Sequence, residues 1–215
     1  MSSMPAAAAQ DARPIVLVVD DDPLVLGALD SLFRSVDFAV RNYASAQELL
    51  EAPIPDTPCC LVVDVRMPHI GGFECHARLA ERGLDVPAIF LTGHGDIPMS
   101  VKAMKAGAVD FLTKPFRDQD MLDAVNAALA RSTARHSAFQ EREALQGRLR
   151  SLTSRERQVM DGVVRGLLNK QIAGELGIAE ITVKLHRASL MRKMGLRTVP
   201  DLVRAAEAAG AVQVS

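Results

Sequence analysis

The acidic run Asp20-Asp21-Asp22, the carboxylate of Asp64, the hydroxyl of Thr92 and the amine of Lys114 are the side chains of this chain whose chemistry is worth pooling. Each stands at or just after the end of a short apolar run. An ionised carboxylate beside a buried strand needs a cation, hydrogen-bond donors or a functional reason to be there. If Asp20, Asp21 and Asp64 converge, each like-charge pair at about 4 Å costs on the order of 4 kcal/mol at an effective dielectric near 20, and a divalent cation is the natural remedy. Hard oxygen ligands with open positions favour Mg2+, which keeps waters and can take a phosphoryl oxygen.

Convergence requires a particular scaffold. Apolar, β-branched runs at Ile15-Asp20, Ala39-Tyr43, Cys60-Val65, Ala88-Thr92 and Asp110-Thr113 read as strands. Segments of helical period fit between and after them, at about Pro23-Ser35, Ser45-Glu51, Gly72-Arg82, Ile97-Ala106 and Asp118-Arg131. Pro23 suits a first helical position, and Ser45-Ala-Gln-Glu48 is a capping box. Five βα repeats predict an α/β domain, a doubly wound five-stranded parallel sheet over residues 14–131. With strand order 2-1-3-4-5 its first and third strands are neighbours, and a site forms outside the carboxyl ends of the strands. The residues at those ends are Asp20, Asp21, Asp64, Thr92 and Lys114.

The net charge of -1 hides a division. The segment Arg148 to Arg204 holds 12 Lys/Arg against 5 Asp/Glu, leaving 13 against 21 elsewhere. A basic half beside an acidic half suggests a nucleic-acid partner for the former. Cys59, Cys60 and Cys75 make neither a disulfide framework nor a metal-ligand spacing, which fits a reducing compartment. Residues 1–13 read as a flexible tail with no secretory pattern, and no apolar window is long enough to span a bilayer, so the expectation is a cytoplasmic protein without a membrane partner. Neither G-x-x-x-x-G-K-[ST] nor G-x-G-x-x-G occurs, which argues against a nucleotide switch.

Residues 132–150 are rich in helix formers and lack Pro, predicting a mainly helical linker with Gly147 as a hinge. Residues 151–212 read as an all-α, four-helix domain. Thr153-Ser-Arg-Glu156 is a capping box for a first helix; Asn169 is expected to cap a second that stops at Gly177; a third runs about Glu180 to Met194 and a fourth from Val199 to Ala209. Two helices joined by a short Gly-containing turn describe a helix-turn-helix. On the third helix Val183, Leu190 and Met194 should face inward, leaving Lys184, Leu185, Ala188 and Arg192 on a surface fit for a major groove. Without Phe, Tyr or Trp to stack unpaired bases, this domain suits duplex DNA better than single strands.

Several separated motifs in the right order carry a resemblance. The acidic pair after Val18-Val19, Asp64-Val-Arg-Met-Pro68, Leu91-Thr-Gly-His-Gly-Asp96, Ala106-Gly-Ala108 and Lys114-Pro-Phe116 resemble the receiver domain of bacterial two-component response regulators. The resemblance implies that Asp64 is the phosphoacceptor, taking a phosphoryl group from a histidine of a partner sensor kinase. It also implies that Asp21, Asp64 and the backbone carbonyl of Arg66 bind Mg2+ with Asp20 assisting, and that Lys114 and Thr92 contact the phosphoryl oxygens. Thr92 and Phe111 would form the switch, and the segment Asp96-Lys105 with the last strand would form the dimerisation surface. His69, where the family more often carries a small residue, reads as exposed and not a ligand; His94 beside Thr92 is assigned no role.

Leu152-Thr-Ser-Arg-Glu156, Asn169-Lys-Gln-Ile-Ala173, Leu176-Gly-Ile178 and Thr182-Val-Lys-Leu-His-Arg187 resemble the LuxR-type DNA-binding domain. By that resemblance Lys184, Leu185 and Ala188 meet base edges, and Asn169, Lys170, Thr182, Arg187 and Arg192 hold phosphates. Ala179 departs from the usual Ser or Thr before the recognition helix, removing a cap that contributes about 1 kcal/mol. The whole resembles a NarL/FixJ-class regulator, nearest its FixJ branch. The function expected is phosphorylation-dependent homodimerisation, binding of duplex DNA and activation of transcription through RNA polymerase, with no catalytic turnover beyond slow self-dephosphorylation. Plainer readings stand beside these: Asp64 as a strand-end carboxylate, Lys114 as a salt bridge, Thr92 as a strand cap, Phe111 as core, the basic residues as a solvated face. Rival functions are an aspartyl-phosphate hydrolase, which would want an acid where Arg66 stands, and a DNA-binding regulator that works without phosphorylation.

Overall fold

The computed structural model describes residues 14–93 and 107–209. The expected tail at 1–13, the expected helix at Ile97-Ala106 with the dimerisation segment Asp96-Lys105, His94 and the last residues of the second domain lie outside the described residues. The chain divides into two compact units, Met1–His136 and Ser137–Ser215.

In the first unit the strands are β1 (Ile15–Val19), β2 (Ala39–Tyr43), β3 (Cys59–Asp64), β4 (Ala88–Thr92) and β5 (Asp110–Thr113). They form one parallel sheet in the order β2-β1-β3-β4-β5, as the alternation of strand and helix predicts. β1, β3 and β4 are continuous apolar runs because both faces of the sheet are covered. Alternate residues feed two cores. Leu17, Leu61, Val63 and Phe90 lie on one side, against α2 (Ala46–Glu51) and α3 (Gly72–Glu81). Val16, Val18, Val62 and Leu91 lie on the other, with Leu29 and Phe33 of α1 (Pro23–Ser35) and Met121 and Val125 of α4 (Asp118–Arg150).

The capping signals resolve in detail. Ser45 accepts from the Glu48 N–H at 3.2 Å, but the Glu48 carboxylate reaches back to the N–H of Ala44 (2.7 Å), one residue before the expected position. Helix α4 is uninterrupted through residues 132–150; Gly147 lies inside it and its carbonyl accepts from the Ser151 N–H at 3.2 Å, so the expected hinge is regular helix here.

The second unit holds the last turns of α4 and α5 (Ser154–Val164), α6 (Asn169–Leu176), α7 (Glu180–Met194) and α8 (Val199–Ala208). Val159, Ile172, Val183, Leu190, Met194 and Leu202 make its core, with Leu145 and Leu149 of α4 packed against it. Gly177 ends α6 at φ 62, the left-handed conformation that lets the chain turn sharply into α7. Asn169 is not the cap of α6 but its first residue. Leu168 stands at the cap, and its N–H is satisfied by the Gln171 side chain at 2.8 Å. The physical reason is that Asn169 is engaged elsewhere, accepting a hydrogen bond from Arg187.

Candidate functional site

Parallel pairing of β1 with β3 puts Val19 level with Val63, so the next residues, Asp20 and Asp64, leave the sheet side by side. β4 lies on the far side of β3, with Leu91 level with Asp64, and Thr92 follows at its carboxyl end. β5 completes the row: the Lys114 N–H donates to the Thr92 carbonyl at 2.7 Å, which delivers the Lys114 amine to the same rim. Four adjacent strands thus supply Asp20, Asp64, Thr92 and Lys114, and the first three side chains are buried.

Lys114 Nζ bridges the two carboxylates, at 2.5 Å from Asp20 Oδ2 and 2.6 Å from Asp64 Oδ1. Each carboxylate then takes one backbone donor on its other oxygen: the Asp22 N–H reaches Asp20 Oδ1 at 3.0 Å and the Arg66 N–H reaches Asp64 Oδ2 at 2.7 Å. Charge-assisted bonds to every carboxylate oxygen are what make two buried negative groups tolerable. Burial nevertheless pushes the Asp20 carboxyl above its ordinary range, against the opposing hydrogen bonds from Lys114 and Asp22. Burial alone would lower the Lys114 ammonium, but its bonds to Asp20 and Asp64 outweigh that and hold it above its ordinary value.

The acidic triplet divides into three roles. Asp20 enters the pocket, Asp21 is exposed, and Asp22 caps α1 by accepting from the Leu24 N–H at 2.8 Å. The expected gathering of three carboxylates is therefore two carboxylates and an ammonium, because successive residues leaving a strand point in different directions. Among the described residues no group of three His, Cys, Asp or Glu side chains is placed to hold a metal. Two hard carboxylates still suit Mg2+, which binds through one or two carboxylates and retains its waters rather than requiring a closed protein cage. Phe111 is half-buried on β5 against the Leu17 side of the core, and His69 is exposed at φ 65 in the loop after Asp64.

Close packing behind Asp64 explains the Gly71-Gly72 pair. A Cβ on Gly72 would collide with the backbone carbonyl oxygen of Asp64, and one on Gly71 would stand 2.9 Å from that of Val65. Only glycine lets the start of α3 lie this close to the strand end that carries the carboxylate.

In the second unit Val183, Leu190 and Met194 are fully buried, which sets the rotation of α7 and turns Lys184, Leu185, Ala188 and Arg192 to solvent, as helical spacing predicts. Lys170 is exposed and Thr182 half-buried. Arg187 donates to Asn169 Oδ1 at 3.0 Å, so two of the expected phosphate contacts hold one another. Lys184 pairs with Glu180 across one turn at 3.1 Å. Ala179 precedes α7 without a side-chain cap. A buried glutamate anchors the helix. Glu156 closes the capping box with Thr153, accepts from Ser189 Oγ at 2.8 Å and pairs with Lys193 at 2.7 Å. The Lys193 and Thr153 bonds hold its carboxyl down at about 2.

The geometry agrees with what the chain is similar to. Residues 16–126 match the family model described as a response regulator receiver domain, and residues 150–206 match that of bacterial regulatory proteins of the luxR family. Nodulation protein W of Bradyrhizobium diazoefficiens is 49% identical over 198 residues, covering 92% of this chain and 87% of its own. The transcriptional regulatory protein FixJ of Rhizobium meliloti is 42% identical over 196 residues, 91% of this chain and 96% of its own. The chain is a response regulator of the NarL/FixJ class. Among solved structures, that of the response regulator StyR superposes with a TM-score of 0.84 at 46% identity, covering 91% of this chain and 98% of that one.

As a response regulator the chain carries a receiver domain and a LuxR-type DNA-binding domain, and it is a transcription regulator. A receiver implies a histidine kinase as partner, and the luxR-family domain implies DNA. Among the described residues no helix is long and apolar enough to cross a membrane. Sequence reasoning missed Asp22 as a cap, although Asp before Pro at a helix start is a local sign of it. It also missed the mutual bond of Asn169 and Arg187 and the ties of Glu156 to α7. These join residues 18 to 37 positions apart, and no local pattern marks them.

Proposed function

We propose that this regulator is switched by phosphorylation of Asp64, the phosphoryl group coming from a histidine of a partner sensor kinase. Its modified form pairs as a homodimer through the receiver, binds sequence-specific duplex DNA and activates transcription with RNA polymerase, in the cytoplasm. The observation that carries the reading is the Asp64 carboxylate, buried at the mouth of the sheet and held between Lys114 and the Arg66 N–H. A carboxylate so fixed is a nucleophile in one orientation, and phosphoryl transfer asks chiefly for positioning and charge neutralisation.

Asp20, Asp64 and the Arg66 carbonyl would hold Mg2+, and Asp21, exposed beside them, would have to turn in to join them. Bound there, Mg2+ supplies positive charge to the phosphoryl oxygens as they approach a negatively charged pocket. Lys114 moves from its bridge between carboxylates to the new phosphoryl oxygens, which offer it a denser charge. Thr92, buried at the end of the neighbouring strand, turns its hydroxyl to the same group, and Phe111 follows into the space released. Two recognition helices, one per protomer, then meet two half-sites. Lys184, Leu185 and Ala188 face base edges; Asn169, Lys170, Thr182, Arg187 and Arg192 hold phosphates.

Asp64→Asn tests the reading. The variant should form no acyl phosphate with acetyl phosphate and Mg2+, read as loss of the retarded band on a phosphate-affinity gel, and should lose the phosphodonor-dependent gain in DNA affinity. Undiminished phosphate uptake refutes the assignment of Asp64. Full-affinity DNA binding without any phosphodonor, unchanged in the variant, would instead favour a regulator that ignores phosphorylation.

A further inference from the structure

The outward line of α7 is apolar. With Val183, Leu190 and Met194 directed into the core, the residues on the opposite side of the helix are Ile181, Leu185, Ala188 and Arg192. Ile181 is 64% exposed and Leu185, one turn on, is 65% exposed. A single exposed leucine on a soluble helix means nothing. Two large aliphatic side chains on consecutive turns, followed by alanine, along the line most directly opposed to the core form a stripe.

The polar groups of the same helix offer little else for reading bases. α7 contains no Asn or Gln, the residues that make paired hydrogen bonds to adenine. Arg187 is half-buried and bonded to Asn169, and Lys184 already has Glu180 beside it. Of the other expected phosphate contacts, Lys170 stands off the stripe on α6, and Arg192, which reaches Ser189 Oγ at 3.5 Å, lies at its far end, where a recognition helix meets the backbone rather than base edges. An apolar strip bordered by positive charge fits one feature of duplex DNA, the thymine C5 methyl groups that project into the major groove between two lines of phosphates.

We propose that Ile181, Leu185 and Ala188 read thymine methyl groups, so that this regulator selects its half-sites chiefly by where thymines fall on the two strands. The inference rests on the DNA-binding reading above and adds the chemical feature that is recognised. Leu185, at the centre of the stripe, carries the largest share; Lys184 at its edge adds a contact to guanine once it leaves Glu180.

The test uses the full-length protein treated with acetyl phosphate and Mg2+. A random duplex pool is selected on it, and the enriched duplex is remade with deoxyuridine in place of thymidine, first within the half-sites and then only outside them. Deoxyuridine keeps base pairing and removes the C5 methyl alone. Loss of each contacted methyl should weaken binding about fourfold, so two or three in a half-site should cost tenfold or more, while replacement outside the half-sites should cost nothing. Leu185→Ala, at an exposed position, should bind the thymidine duplex more weakly and discriminate less between the thymidine and deoxyuridine duplexes than the parent does. Equal affinity of the parent for both duplexes overturns the inference and leaves the DNA-binding reading intact. Failure of the pool to yield any enriched duplex overturns both.

Discussion

Removing the Lys114 ammonium while keeping its length, as in Lys114→Met, exposes what the pocket costs. Because Asp20 Oδ2 and Asp64 Oδ1 lie 2.5 and 2.6 Å from the same Nζ, the two oxygens are within 5.1 Å of each other. Two unit negative charges at about 5 Å repel by about 3 kcal/mol at an effective dielectric near 20. Both side chains also lose a charge-assisted hydrogen bond, and breaking one side of a buried pair typically costs about 3–5 kcal/mol. The variant should therefore lose about 3–5 kcal/mol of receiver stability when divalent cations are absent.

The chain supplies its own probe for that measurement. It has no tryptophan and one tyrosine, Tyr43, buried on β2 of the receiver, so tyrosine emission during urea unfolding follows this domain alone. Adding Mg2+ should return a larger part of the loss in the variant than it adds to the parent, because a cation binding only the folded form stabilises by RT ln(1 + [L]/Kd) and no ammonium competes for the carboxylates. A loss below about 1 kcal/mol, the range of an exposed ion pair, would refute the view that Lys114 neutralises two desolvated charges. An equal response to Mg2+ in both proteins would refute the competition.

Three further outcomes are expected. Gly72→Ala should cost about 1–3 kcal/mol by forcing a Cβ against the Asp64 carbonyl, and should slow phosphorylation from acetyl phosphate; parent-like rates and stability would show that α3 can draw back freely. Ala179→Ser should stabilise the DNA-binding domain by about 1 kcal/mol by supplying the missing cap of α7, read as a higher midpoint in a circular dichroism urea titration. Glu156→Gln should cost about 1–3 kcal/mol near neutral pH. Since the Glu156 carboxyl is depressed from 4.5 to about 2 in the fold, its contribution is complete above 4.5 and disappears as pH falls through about 2. The gap between parent and variant must therefore narrow on acidification, and a gap that stays constant from about pH 6 to about pH 3 would contradict the Lys193 and Thr153 bonds.

How much of this was legible in the sequence depends on the distance over which each feature is decided. Strand and helix bounds came within a residue or two at most described elements, because buried parallel strands and amphipathic helices write their period into neighbouring positions. The pocket followed from those elements, since a parallel sheet of order 2-1-3-4-5 has no choice but to bring the ends of β1, β3, β4 and β5 to one rim. Side-chain direction at that rim did not follow. Asp20, Asp21 and Asp22 are identical in type and adjacent, yet one is buried beside Lys114, one is exposed and one caps α1.

In the second domain, spacing alone identified the buried and exposed faces of α7, but not which exposed polar groups already have partners. Asn169 had the composition of a cap and was displaced from that role by Arg187, a residue 18 positions away. Glu156 shows the same limit from the other side. Its capping box is a four-residue pattern visible in the sequence, whereas its ties to Ser189 and Lys193 exist only because α5 packs on α7. One carboxylate thus starts a helix by a local rule and holds the recognition helix by a tertiary one. That is why the apolar stripe on α7 can be assigned an orientation, and so a target, only after the core has been seen.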